Sequence, residues 1–175
     1  EENPKEPISL YGTSKLCCEY LIRNYNLTNN LPYTTLRFAN VYGEKQDTSG
    51  EGGVVAIFID KILKKRKCTI FGNGNQTRDF IYITDVIDAC ILSLENSIVG
   101  EFNISTAIET SVIKIYKKLL ELSDVKVKKQ FKKHRYLEVA RSALSYDKFA
   151  KSVNWKPKVD FDIGLDFTYR FFKSI

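Results

Sequence analysis

Tyr11 and Lys15 stand four residues apart in Tyr11-Gly12-Thr13-Ser14-Lys15, a spacing that places a phenol and an ammonium on the same face of a helical turn. A free tyrosine hydroxyl, with a pKa of about 10, is a weak base at neutral pH, and a cation beside it favours the phenolate. Together the two groups can accept a proton from an alcohol. The same spacing also occurs on ordinary helix surfaces, so the pair alone does not decide the chemistry.

The context is more specific. Arg37-Phe38-Ala39-Asn40-Val41-Tyr42-Gly43 follows the pair, then Gly50-Glu51-Gly52-Gly53-Val54, Ile70-Phe71-Gly72-Asn73-Gly74 and Thr77-Arg78-Asp79-Phe80-Ile81-Tyr82-Ile83-Thr84-Asp85-Val86. Phe102-Asn103-Ile104-Ser105 and Asn154-Trp155-Lys156-Pro157 complete the series. In this order the motifs resemble the C-terminal half of the extended short-chain dehydrogenase/reductases, within the NAD-dependent epimerase/dehydratases, and look most like UDP-glucose 4-epimerase-like enzymes. The resemblance covers essentially the whole chain. It is far more specific for the superfamily than for the reaction.

Carried over residue by residue, the resemblance makes Tyr11 the catalytic base and Lys15 the residue that binds the nicotinamide ribose of NAD and assists the phenolate. Ala39 falls where the backbone passes the nicotinamide, although many relatives have an aromatic there. Asn40, Arg78 and Arg135 match contacts to the substrate diphosphate, where a guanidinium fork can donate paired hydrogen bonds. Glu138 matches an acid that meets the nucleoside ribose, Thr69 and Phe71 a short strand bordering the nucleobase, and Val54 the start of a helix over the substrate. Each has a plainer alternative: Asn40 as a turn residue, Phe71 as a core aromatic, Arg135 and Glu138 as surface charges. Tyr136-Leu137 departs from the family's Pro-Gly, which bears on Arg135; Leu10 replaces a common proline and Asn154 a common glycine.

The implied activity is epimerisation of a nucleotide sugar, of the UDP-glucose/UDP-galactose type at C4, through a transient 4-keto sugar. A dehydratase or decarboxylase would share nearly all of these residues, and a nonenzymatic nucleotide-sugar-binding fragment is the third alternative. No G-x-x-G-x-x-G or G-x-G-x-x-G occurs; in this family that phosphate-binding turn lies far upstream of the tyrosine. The start at Glu1-Glu2-Asn3-Pro4, in a chain without methionine, is therefore expected to be a cut, and the fragment alone is expected to be inactive. The intact parent is expected to be a cytoplasmic homodimer.

These side chains need elements to hold them. Apolar residues at helical spacing predict a helix from about Ser9 to Tyr25, and Tyr33–Phe38 reads as a strand. A glycine-rich loop follows, then a helix over Val54–Lys65, a strand at Cys68–Phe71 and an extended stretch from Arg78 to Ile83. Thr84-Asp85 is expected to cap a helix over Val86–Leu94, with a strand at Glu101–Ile104 and a helix opened by Thr110-Ser111. A strand over Lys126–Phe131 and helices near Asp147–Val153 and Ile163–Phe172 finish the chain. The alternation is α/β: by resemblance, the C-terminal part of a Rossmann-like parallel sheet (1–43 and 78–105) plus a smaller α/β substrate-binding domain (44–77 and 106–175).

Composition narrows the partners. The 175 residues, 43% hydrophobic, suffice for a sizeable core, and Lys or Arg interrupts every apolar run before it could span a bilayer. No membrane partner is expected. Cys17, Cys18, Cys68 and Cys90 form no C-x-x-C pair, and the single His134 has no ligand neighbour at metal spacing, so neither disulfides nor a metal is expected. The net charge of +6 collects in Lys64-Lys65-Arg66-Lys67 and from Lys126 to Arg135. Without interleaved aromatics these runs read as solvated faces, and no nucleic acid is expected.

Overall fold

Ser9 opens the first helix: its backbone is extended and its hydroxyl accepts from the Gly12 N–H at 3.0 Å, satisfying one of the orphan donors of the first turn. The computed structural model, which describes residues 1–49, 52–134 and 139–175, continues this helix (α1) from Leu10 to Asn29. It outruns the expected end because nothing between Tyr25 and Asn30 breaks it; Asn30 then adopts a left-handed conformation that its short polar side chain tolerates.

The remaining elements are β1 (Thr34–Phe38), β2 (Asn40–Tyr42), α2 (Val54–Leu63), β3 (Cys68–Phe71), β4 (Thr77–Tyr82), α3 (Ile83–Glu95) and β5 (Gly100–Ile104), then β6 (Glu109–Ser111), α4 (Val112–Ser123), β7 (Lys129–Lys132), β8 (Arg141–Ser142), α5 (Asp147–Val153) and α6 (Phe161–Ser174). β1 pairs with β5, β2 with β4, β3 with β7 and β8 with β4, all in parallel; β6 joins β4 antiparallel. Parallel pairing across long helical crossovers is the α/β architecture expected.

Several details differ from the sequence reading. β2, β6 and β8 are strands of two or three residues, too short to show a period of two. β7 begins at Lys129 rather than Lys126. α3 starts at Ile83 with no side-chain cap, so Thr84-Asp85 lies inside its first turn. Asp85 is buried and accepts from the Lys158 and Val159 N–H groups at 3.1 Å each; its carboxylate fastens a distant loop instead of capping its own helix.

Two apolar clusters hold these layers. Tyr42, Phe58, Ile59, Ile62, Ile70, Phe80, Ile115, Leu119 and Leu165 join α2, α4 and α6 to one face of β2–β4. Ile81, Val86, Ala89, Phe102 and Ile104 form the second, closed by Phe149 and Trp155 from the C-terminal part. α1 buries no residue of its own. Its apolar side chains Tyr20, Leu21, Tyr25 and Leu27 are exposed.

Candidate active site

The first two turns of α1 carry Tyr11 and Lys15, with the Lys15 ammonium 5.2 Å from the Tyr11 ring centroid. Tyr11 is 73% exposed. A side-chain carbon on Gly12 would meet Pro7 Cβ at 3.2 Å and Ser9 Oγ at 3.3 Å, so a glycine there lets the incoming chain fold over the turn that presents the phenol.

What orients this helix is a carboxylate that the sequence reading did not single out. Glu19, two turns beyond Tyr11, accepts from Arg37 Nε at 2.6 Å and Nη2 at 2.7 Å, and Lys5 stands 3.6 Å away. The bidentate hydrogen bond from Arg37 is the main cause that holds the Glu19 carboxyl below its ordinary range. Arg37 lies on β1, and the chain runs directly into Ala39 and Asn40. Ala39 N–H donates to the Ile104 carbonyl at 2.9 Å, extending the β1–β5 pairing to the point where β2 begins.

Asn40 and Arg78 come onto one face of the sheet. Asn40 pairs with Phe80, and Arg78 is two residues before Phe80 on β4, so pleat alternation puts all three side chains on the side of the α2–α4–α6 cluster. Strand spacings put the two Cα atoms about 8 Å apart, a separation that lets both side chains grip one diphosphate. Arg78 Nη1 also donates to the Thr77 carbonyl at 2.7 Å. Val54, half-buried, is the first residue of α2. Gln46, unmarked in the sequence, braces this corner: its Nε2 donates to the Val41 carbonyl at 3.0 Å, and a side-chain carbon on Gly53 would lie 2.6 Å from that nitrogen.

Thr69 and Phe71 are the half-buried positions of β3, while Cys68 and Ile70 face the core. Burial raises the Cys68 thiol to about 11, which makes it inert. Gln130 Nε2 donates to Thr69 Oγ1 at 2.7 Å across to β7. The structure thus relates Asn40 to Arg78 and Tyr11 to Lys15, and sets Thr69 with Phe71 on one strand face. Arg135 and Glu138 lie outside the described residues.

Asp79 is a further residue that the sequence reading passed over. It is 2% exposed and accepts from Thr106 N–H at 3.0 Å, Thr106 Oγ1 at 2.6 Å and Ala107 N–H at 2.9 Å. Its carboxylate holds the turn after β5, where Ala107 takes φ of +60°. Away from these residues, an apolar depression of about 380 Å³ lined by Leu21, Ile22, Tyr25, Asn26, Leu31 and Tyr33 lies toward the other end of α1.

Among the described residues, no group of three or more His, Cys, Asp or Glu side chains is arranged around a metal position, and no helix is long and apolar enough to cross a membrane. At the start of α1 the exposed Tyr11 and Lys15, with the ammonium over the ring, offer a phenol and a cation, the groups that the nicotinamide ribose of NAD would need.

Residues 1–105 match the model of the NAD dependent epimerase/dehydratase family. The chain belongs to that family. It is 43% identical over 94% of its length to a Methanocaldococcus jannaschii protein provisionally named a UDP-glucose 4-epimerase, of which it covers 53%. It is 31% identical over 99% of its length to human dTDP-D-glucose 4,6-dehydratase, covering 51%. A Thermus thermophilus UDP-glucose 4-epimerase solved in complex with NAD superposes with a TM-score of 0.93 at 33% identity, over 99% of this chain and 57% of that one. The chain thus spans about half the length of the relatives it matches. Its mixed α/β fold with parallel strands is that of the Rossmann-like epimerases, and the family is NAD-dependent.

Proposed function

We propose that the intact parent of this chain interconverts nucleotide sugars epimeric at C4, of the UDP-glucose/UDP-galactose type, through a transient 4-keto sugar. The observation that carries the reading is the Tyr11–Lys15 pair at the head of a helix that Glu19 and Arg37 tie to the strand leading to Asn40. NAD, when bound, supplies the hydride acceptor and donor. Tyr11 takes the proton from the sugar hydroxyl and returns one after the sugar has turned, so it serves as base and then as acid. Lys15 stabilises the phenolate and holds the nicotinamide ribose, while Ala39 lies along the nicotinamide.

Substrate is gripped away from the reacting carbon. Asn40, Arg78 and Arg135 hold the diphosphate, Thr69 and Phe71 border the base, Glu138 meets the ribose and Val54 opens the helix over the sugar. That grip must survive rotation of the sugar, which favours anchoring at the charged nucleotide end. In this reading 1–43 with 78–105 belongs to the cofactor domain and 44–77 with 106–175 to the substrate domain. The two apolar clusters follow this division only in part: Tyr42, Phe80 and Tyr82 pack in the cluster of the substrate domain, and Phe149 and Trp155 in that of the cofactor domain. The exposed apolar side chains of α1 suit a two-fold homodimer of the parent, and a cytoplasmic location suits the four free cysteines.

A dehydratase is the second reading, favoured by the 31% identity to a dTDP-D-glucose 4,6-dehydratase. Incubating the intact parent with UDP-galactose and with dTDP-glucose separates the two. UDP-glucose from the first is the expected product; a 4-keto-6-deoxy sugar from the second would replace the epimerase reading.

A further inference from the structure

Two basic runs about sixty residues apart in sequence meet along the β3–β7 ribbon. Cys68 pairs with Lys129 in the parallel β3–β7 ladder, and Cys68 N–H donates to the Lys128 carbonyl at 3.1 Å. Lys64-Lys65-Arg66-Lys67, entering β3, therefore runs beside Lys126, Lys128 and Lys129, entering β7. Lys132 and Lys133 follow at the far end of β7, all of whose residues are exposed; Lys129 and Phe131, opposite the core-facing Cys68 and Ile70, lean to the α4 side of this exposed strand, and Lys128 and Lys132 to the other.

These nine cations account for the charge of the chain. The other 18 Lys and Arg residues are outnumbered by 21 Asp and Glu. Neither basic run contains an acid, and among the described residues only Lys64 of the nine has a carboxylate partner, Asp60. Elsewhere several cations have partners: Lys118 with Asp162, Lys158 with Asp88, Arg141 with Glu109 and Arg170 with Asp166. Segregation of unpaired charge onto one surface repels like charges and is retained at a cost in stability. A partner that neutralises it removes that cost.

The chemistry of the face selects the partner. Eight of the nine cations are lysine, whose compact, strongly hydrated ammonium suits diffuse attraction to a charged surface rather than paired hydrogen bonds to individual phosphates. The surface is a two-stranded ribbon rather than a groove. Phe131 stands 55% exposed among the lysines, with the Lys129 ammonium 5.9 Å from its ring centroid. One aromatic set in a field of lysines offers no series of stacking platforms for bases. It does match a peripheral contact in which lysines meet lipid head groups and one ring enters the interface. We infer that this face docks the protein on an anionic lipid surface. The expectation of no membrane partner rested on the lack of a spanning segment, and a surface contact needs none.

Flotation of the 175-residue chain with vesicles tests the inference. Vesicles of phosphatidylcholine with about a third phosphatidylserine should bind at least about tenfold more protein than phosphatidylcholine alone at low salt, and molar salt should abolish the difference. The triple variant Lys65→Glu, Lys67→Glu, Lys128→Glu should lose on the order of a hundredfold in vesicle affinity. A control with the same charge change elsewhere, Lys151→Glu, Lys156→Glu, Lys173→Glu, should stay within about threefold of the parent, and both should melt as the parent does. Phe131→Ser should weaken binding without changing its salt dependence. Equal binding to both vesicle types, equal losses in the two triple variants, or tighter capture by single-stranded RNA than by the anionic vesicles at the same salt would each overturn the inference.

Discussion

Glu19 and Arg37 share two hydrogen bonds of 2.6 and 2.7 Å, and through them the helix bearing Tyr11 and Lys15 is held to the strand that leads to Asn40. A base on one element and a diphosphate contact on another are useful only if their separation is fixed. Glu19→Gln keeps the shape and removes the charge, and should cost α1 about 1 to 2 kcal/mol of attachment. Because its folded carboxyl titrates below its ordinary 4.5, Glu19 contributes fully above that value and loses its contribution as pH falls through the depressed one. Amide protection factors in α1, corrected for the intrinsic exchange rate, should therefore fall on acidification below about pH 4.5, and Glu19→Gln should flatten that response. Identical exchange in parent and variant would refute the role.

Tyr11→Phe in the intact parent should remove most turnover while leaving nucleotide-sugar affinity nearly unchanged, because only the transition state needs the proton acceptor. Steady-state kinetics with product analysis measure both quantities. Turnover at the parental rate would end the assignment.

Arg78→Ala should weaken UDP binding by about 1.5 to 3 kcal/mol, the range for a charged hydrogen bond. Calorimetry is the measurement, and an unchanged affinity would place the diphosphate elsewhere.

Asp79→Ala leaves the Thr106 and Ala107 N–H donors without their acceptor and releases the turn in which Ala107 holds φ of +60°. A loss of about 2 to 4 kcal/mol in unfolding free energy is expected in denaturant titration. A variant as stable as the parent would show that water replaces the carboxylate.

The isolated chain should bind no NAD saturably at millimolar concentration, since Tyr11 and Lys15 reach only the nicotinamide end and the rest of the dinucleotide needs the glycine turn. Adding the separately made upstream half should restore NAD binding and turnover. Tight NAD binding by the chain alone would show that the cofactor lies elsewhere.

Elements with a long period were legible in the sequence: α1, α2, α4, α5 and α6 follow from apolar spacing, and β1, β3, β5 and the main part of β4 from β-branched and aromatic runs. β2, β6 and β8 were not, because strands of two or three residues exist through their partners and carry no pattern of their own. Ser111 was legible as a cap, and its hydroxyl accepts from the Lys114 N–H at 3.3 Å. Asp85 was misread because Thr-Asp before an apolar run is a capping pattern, whereas the loop at Lys158 and Val159 claimed the carboxylate. Tyr11, Lys15, Asn40 and Arg78 were singled out through motif order, and their roles are those proposed above. Glu19, Gln46 and Asp79 escaped notice because what each does depends on a partner chosen by the fold, and nothing local to Glu19 points eighteen residues ahead to Arg37.

α1 thus carries the proposed base on a helix with no core of its own. A segment that buries nothing and is held mainly by one ion pair opens far more readily than the sheet beneath it. Its order is then supplied by whatever polypeptide covers its apolar side. Under the proposed function, the distance from Tyr11 to the reacting carbon becomes a property of that assembly: until the covering is in place, the proposed base has no fixed target.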